Sequence, residues 1–337
     1  MRRRIAGAAL AAGLLLAGGV GAGQAVAAPA SGCVPGTEVL GGLVRGSADR
    51  VLGLGAGGRA VGVSDGRPVY WTGRAVHAVP LPEGFTGGEA AAVNGHGLMV
   101  GTLERADGST AAFRYVAGAR SVRLLPGGAR ATDVNAHGVV VGTGTRDGQP
   151  VALRWRGTGR AEVLAVPAGY TVLRVTGVND AGRVTGAAQG GAGEDWWTAG
   201  LLWPGGKGAV TVLERYWPGD TYTYWWPSAV DNAGRVVGTE ENTRLDGRSP
   251  TVWRPPYTTE EFAGLLGART NGTFEDVAPN GGLVVGTASD SMVLGPFPPD
   301  TAPPPQAQVW AGTGPLLALP RLRGAGASAA HAAADDG

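Results

Sequence analysis

The chain has 337 residues, with 28 Lys and Arg against 27 Asp and Glu, giving a formal charge of +1. Its 61 glycines supply turns and depress helix propensity, and with Cys33 as its single cysteine it forms no internal disulfide. This balance removes the electrostatic case for nucleic acid or an anionic membrane surface as a partner.

The first element is Met1-Arg2-Arg3-Arg4, a small apolar run from Ile5 to Ala22, and then Ala25-Val26-Ala27. These are the three parts of a secretory signal peptide, with cleavage expected after Ala27, so residues 1–27 are assigned to export and the mature chain to the extracellular side. Loss of three arginines leaves 25 basic against 27 acidic residues. Ala30-Ser31-Gly32-Cys33 offers a lipid anchor at Cys33 as a minor alternative to a freely secreted protein. Residues 28–44 form an N-terminal segment in which Thr37 to Leu40 reads as a strand able to close a ring.

From residue 45 to 322 the sequence repeats itself. A phrase Val-Asn-x-x-Gly-x-Val-Val-Gly-Thr recurs with its last strand glycine at Gly62, Gly101, Gly142, Gly186, Gly238 and Gly286, at intervals of 39, 41, 44, 52 and 48 residues. An aromatic follows each glycine: Trp71, Tyr115, Trp155, Trp203, Trp253 and Trp310. The third unit writes the pattern most clearly, as Ala131 to Asn135, Gly138 to Thr143, Pro150 to Trp155 and Ala161 to Val166, four β-rich runs divided by Asn/Gly and Asp-Gly turn signals. The same grammar recurs over 48–82, 89–126, 173–214, 228–254 and 274–318. Intervals of this size match one four-stranded sheet each, and a ring of such sheets hides the edges that an open stack exposes. The expected fold is therefore all-β, a β-propeller of about six four-stranded blades. The alternative has seven blades, with terminal strands closing the ring. Residues 323–337 form a C-terminal segment in which Ala327 to Ala334 is either a closing strand or a disordered tail.

Local chemistry explains the turn. Asn94, Asn135 and Asn179 each precede a reversal in which a glycine takes positive φ while the Asn side chain bonds the backbone two residues on. Val139-Val140-Val141-Gly142 is continuously apolar, which suits a strand covered on both faces.

At Val93 to Thr102, Ala111-Ala112-Phe113-Arg114-Tyr115 and Leu124-Leu125-Pro126-Gly127-Gly128, the chain resembles the extracellular HAF-type repeat family, named for a His-Ala-Phe tripeptide ahead of an aromatic. The tripeptide histidine is missing from all six units, and Phe113 is the only phenylalanine kept. The resemblance implies secreted bacterial repeats of propeller-like build, and it carries no catalytic residue.

Other motifs reduce to turns. Gly53 to Gly58 matches a dinucleotide fingerprint, but the run that follows is the repeat's strand and not the helix a pyrophosphate needs. Ser64 in Gly62-Val63-Ser64-Asp65-Gly66 matches a nucleophile elbow in spacing only. His96 and His137 share one turn position that Ala181 and Ala233 fill later, and no set of residues has metal-ligand spacing. No cofactor, metal or catalytic residue is assigned.

The fourth and fifth units break the pattern. Long insertions bring Trp196, Trp197, Trp217, Tyr222, Tyr224, Trp225 and Trp226 close together in sequence. Strand alternation places Tyr222, Tyr224 and Trp226 on one face. Amphipathic rings beside carboxylates suit stacking on a sugar or clamping a peptide, whereas mutual packing of the rings would serve only to order two long loops. The functional expectation is a secreted, monomeric, non-catalytic binding or scaffold module, with these seven aromatics meeting a carbohydrate, peptide or cell-surface partner. The alternative is a carbohydrate-active hydrolase drawing on the non-repeat carboxylates Glu194, Asp195, Glu240, Glu241 or Glu260.

Overall fold

The computed structural model describes residues 39–46, 48–191, 197–213, 222–290, 303–321 and 325–335. These residues contain no helix. They form six antiparallel four-stranded sheets, each with its strands in sequence order, arranged as a six-bladed β-propeller. The inner strands are Arg50–Gly55, Gly87–Val93, Gly128–Val134, Tyr170–Val178, Thr223–Val230 and Asn271–Val277.

The continuous apolar runs form the second strand of each blade, covered on one side by the next blade. Val139 and Val141 of blade three, for example, pack with Val172, Val175 and Val178 on the inner strand of blade four. The repeat aromatics Trp71, Tyr115, Trp155, Trp203, Trp253 and Trp310 are all buried. The Trp155 indole donates to the Pro126 carbonyl of the preceding blade at 3.1 Å, so the ring fills a seam and satisfies its polar edge there.

Every inner strand carries a β-bulge at the same place, where its register against the second strand slips. The extra residues are Leu52, Ala91, Thr132, Thr176, Ser228 and Glu275. Just before the bulge a backbone carbonyl turns toward the second strand, and the anchor glycine stands opposite it. A Cβ at Gly142 would overlap the Arg130 oxygen, and one at Gly238 would overlap the Trp226 oxygen. The repeat keeps glycine because a backbone atom occupies the space of a side chain.

The turn asparagine does more than the local bonding expected from sequence. Asn135 Oδ1 accepts from the backbone N–H groups of His137 at 3.1 Å and Val139 at 2.9 Å, while its Nδ2 donates to the Asn179 carbonyl of the next blade at 2.8 Å. Asn94 donates in the same way to Asn135, and Asn179 to Asp231. In blade five Arg235 takes over the tie, bonding Asp231 at 3.0 Å and the Gly281 carbonyl of blade six at 2.7 Å.

The structure departs from the sequence pattern in two places. The inner strand of blade five begins at Thr223, inside the stretch assigned to an insertion, because alternating aromatics with one buried face make a good strand. The described parts of the two terminal segments, residues 39–46 and 325–335, are not hydrogen-bonded strands. Cys33 and the export sequence lie outside the described residues. Among the described residues no helix is long and apolar enough to cross a membrane.

Replacing Asn135 with alanine removes three bonds, each contributing about 1 kcal/mol net, and leaves buried donors open. Asn135→Ala is expected to lower unfolding stability by about 3 kcal/mol in urea titration. A change below about 0.5 kcal/mol would show that the inter-blade tie carries no weight.

Candidate functional site

The aromatic insertions divide into separate environments. Trp225 is buried, in one apolar cluster with Leu202, Leu213, Val230, Val236, Trp253 and Tyr257 between blades four and five, so its ring serves packing. Trp197 is half-buried on the strand Trp197–Trp203, over Gly190, where a Cβ would strike the indole. Trp196 and Trp217 lie outside the described residues, as do Glu194 and Asp195.

Tyr222, Tyr224 and Trp226 share the other face of the strand. Tyr222 is 53% exposed, with the Arg244 guanidinium 5.7 Å from its ring. Tyr224 and Trp226 are half-buried and stacked, with ring centroids 6.4 Å apart and planes inclined by 30°. Arg174 of blade four lies 4.5 Å above the Trp226 ring, in range for a cation–π contact. The indole N–H of Trp226 donates to Glu241 at 3.0 Å, and the other oxygen of Glu241 accepts from Arg248 at 2.9 Å. Both bonds fix the ring plane.

Trp226 occupies a repeat position that every inner strand possesses, the residue whose carbonyl faces the anchor glycine. Its counterparts are Arg50, Glu89, Arg130, Arg174 and Thr273. Glu89 binds Arg130 at 2.8 Å and approaches Arg50 at 3.8 Å. Burial lowers the Arg174 pKa, and the charges of Glu275 and Glu241 work against that shift. Thr273 Oγ1 donates to Glu275 at 3.0 Å. Arg50, Glu89 and Arg130 therefore alternate in charge on blades one to three, and Arg174 meets the aromatic pair on blade five.

Toward the Asn/Gly turns the axis opens into a cavity of about 480 Å³, bordered by the bulge residues and turns of all six inner strands. Two of the carboxyl groups that border it are Asp133 and Asp276. Asp133 accepts from the backbone N–H groups of Val134 and Val178, each at 2.7 Å, and Asp276 from Ala333 at 2.9 Å. Burial pushes Asp133 up to about 6 despite those backbone donors. It pushes Asp276 up to about 7, with the Asp133 charge adding to the rise. A side-chain belt crosses the turns: Asn232 exchanges bonds with Asp180 at 2.9 and 2.8 Å, and Asn280 donates to Asp335 at 2.6 Å. Among the described residues no cluster of His, Cys, Asp and Glu could hold a metal ion.

The weaker sequence motifs settle into structure. Ser64 is buried, and its hydroxyl accepts from the Leu43 backbone at 2.8 Å. Residues 53–58 run from strand to turn. His96 and His137 are exposed on their turns. Sequence reasoning passed over Arg174, Asp133 and Asp276. A signal for the two aspartates did exist, since Thr132-Asp133-Val134 and Glu275-Asp276-Val277 place Asp at the same point of units three and six.

No family model and no curated protein matches the chain. Among solved structures it is similar to a puromycin-hydrolyzing peptidase from Mycobacterium tuberculosis, at 12% identity and TM-score 0.51, over 78% of this chain and 42% of that one. It is also similar to a protein described as TolB from Agrobacterium tumefaciens, at 14% identity and TM-score 0.44, over 66% of this chain and 76% of that one. The chain thus spans about two fifths of the peptidase's length, and the likeness is one of fold.

The raised carboxyl groups set a pH dependence. An unfolded aspartate titrates at 3.8, so above that pH the folded chain holds protons that the unfolded chain has lost, at Asp133 up to about 6 and at Asp276 up to about 7. Their contribution to stability is present below pH 3.8 and is lost as pH rises through about 6 and 7. Asp276→Asn is therefore expected to cost less stability at about pH 8 than at about pH 5 in urea unfolding, because only the wild type bears the cost of ionisation. A penalty that grows with pH would mean the carboxylate is stabilised in the fold.

Proposed function

We propose that the protein is a secreted, non-catalytic binding module of the HAF-repeat type, and that it holds an uncharged carbohydrate at the end of the axis where the inner strands begin. The observation that carries this reading is the Tyr224–Trp226 stack, half-exposed and held in plane by Glu241 and Arg174. Fixed aromatic faces give contact area at little cost in side-chain entropy. Around them Arg50, Arg130 and Arg174 are balanced in number by Glu89, Glu241 and Glu275, so donors and acceptors are both at hand while the net charge stays small. Hydroxyl groups can use both kinds of partner, whereas a strongly acidic or basic ligand would meet as much repulsion as attraction. The export reading rests on the pattern of Met1 to Ala27.

Asp133 and Asp276 give less support to a hydrolase, because each spends carboxyl oxygens on backbone N–H groups of the fold. Tyr222 extends the aromatic face outward, and Trp197 lies over the neighbouring blade.

The test compares wild type with a Tyr224→Ala/Trp226→Ala variant on arrays of neutral glycans and of peptides. Loss of two anchoring rings at a contact centre is expected to weaken glycan retention by roughly thirtyfold or more. The thermal transition of the variant serves as a check on folding. Equal retention by both proteins, or retention of peptides alone, would overturn the carbohydrate reading.

A further inference from the structure

Among the described residues each inner strand packs along the next from Arg50–Gly55 round to Asn271–Val277, and packing of this extent does not join blades six and one. The terminal segments lie in that interval, each at a defined place in the repeat.

The C-terminal segment follows the line of a seventh inner strand. Ala330 and Ala333 pack on Ala278, Val285 and Val309 of blade six, as Val175 and Val178 of blade four pack on blade three. The Ala333 N–H donates to Asp276 at 2.9 Å, as the Val178 N–H donates to Asp133 at 2.7 Å. Asp335 accepts from the Asn280 backbone at 2.8 Å, as Asp180 accepts from Ala136 at 2.9 Å. This correspondence aligns residues 327–335 with 172–180 one for one and puts His331 at the bulge position.

Residues at the other terminus hold the outer edge of the same position. The Trp71 indole donates to the Gly41 carbonyl at 2.7 Å. In blades three and four, Trp155 and Trp203 make this bond to Pro126 and Ala165, each just beyond the outer strand of the preceding blade. Val39 and Leu40 therefore trace the outer line of a seventh blade, whose two middle strands the described residues do not supply.

The surface those strands would cover is partly exposed among the described residues. Leu54 on blade one is 37% exposed, while its repeat equivalents Val93, Val134, Val178, Val230 and Val277 are only 4–6% exposed. A cavity of about 320 Å³ separates Val51 and Leu54 from Ala329 and Ala332.

We propose that this slot is an interaction site for a two-stranded β-hairpin carried by a partner polypeptide and built on the repeat's own pattern: an apolar strand with a central glycine, a tight turn, and a strand bearing a large aromatic. Five established interfaces between blades show what such a face takes, and the slot continues them. A hairpin can pair with backbone along the C-terminal segment and also place an apolar face over Leu54. Among the described residues the two middle strands of every blade are already paired on both sides, so a second copy has no hairpin of this kind free to donate.

The probe is a fluorescein-labelled peptide of residues 139–156, which form such a hairpin around Asp147-Gly148. Added in excess to the full chain, it is expected to bind saturably, raise the melting temperature and slow amide exchange over residues 327–333. The same peptide carrying Gly142→Val is expected to bind at least about tenfold more weakly, because its side chain meets backbone. Leu54→Arg, an exposed substitution, is expected to keep the free protein's melting temperature while weakening binding by a similar factor. No saturable binding, unchanged exchange over 327–333, or indifference to both substitutions would overturn the proposal. So would a dimer in light scattering that Leu54→Arg dissociates, which would identify a second copy as the occupant.

Discussion

The whole ring depends on one backbone contact: the carbonyl that each inner strand turns, just before its bulge, into the space an anchor glycine leaves empty. At Gly142 that oxygen belongs to Arg130 and at Gly238 to Trp226. The contact fixes where the bulge falls, and the bulge fixes which side chains border the axis. Arg174 and Trp226 are thereby brought to neighbouring points of one layer, with Thr176 and Ser228 in the next. Because the contact is main chain against main chain, it restricts the glycine and leaves the side chain of the facing residue free. This explains how Arg, Glu, Trp and Thr can all occupy one repeat position.

Adjacent blades are joined by side-chain ties that repeat with the fold. The amides of Asn94, Asn135 and Asn179 form a relay, each closing its own turn and holding the next. Gly55 and Ala278 stand at the equivalent points of blades one and six, so the relay lacks this residue at the two blades that flank the seventh position. The ties and the apolar seams therefore run out at the same place, where Leu54 is exposed.

The fold was legible in the sequence because its strongest signals are backbone requirements. Recurrent glycines, Asn/Gly turns and continuous valine runs all report geometry that repeats, and they located the six units. The alternation of Tyr222, Tyr224 and Trp226 was legible for a similar reason, since the period of a strand is fixed. The separation of Trp225 from its neighbours is a matter of packing: its ring enters a seam lined by Leu202 and Trp253, residues remote in sequence. Arg174 escaped notice because its significance lies in the Trp226 ring of the following blade. Asp133 and Asp276 carried a repeat signal, but their burial and their backbone donors come from neighbouring elements that no single unit contains.

The two ends of the axis are thus suited to different work. At the turn end nearly every polar group has a structural partner: Asp133 and Asp276 hold neighbouring main chain, and Asp180, Asn232, Asn280 and Asp335 hold one another. A ligand entering there would have to break bonds that keep blades together. At the opposite end the Trp226 ring, stacked with Tyr224, has its indole N–H already satisfied by Glu241, so covering its face would remove apolar surface from water without opening that bond. Recognition at that end would be compatible with the stability of the ring, because Tyr224 and Trp226 add side chains to an inner strand whose backbone the repeat already determines.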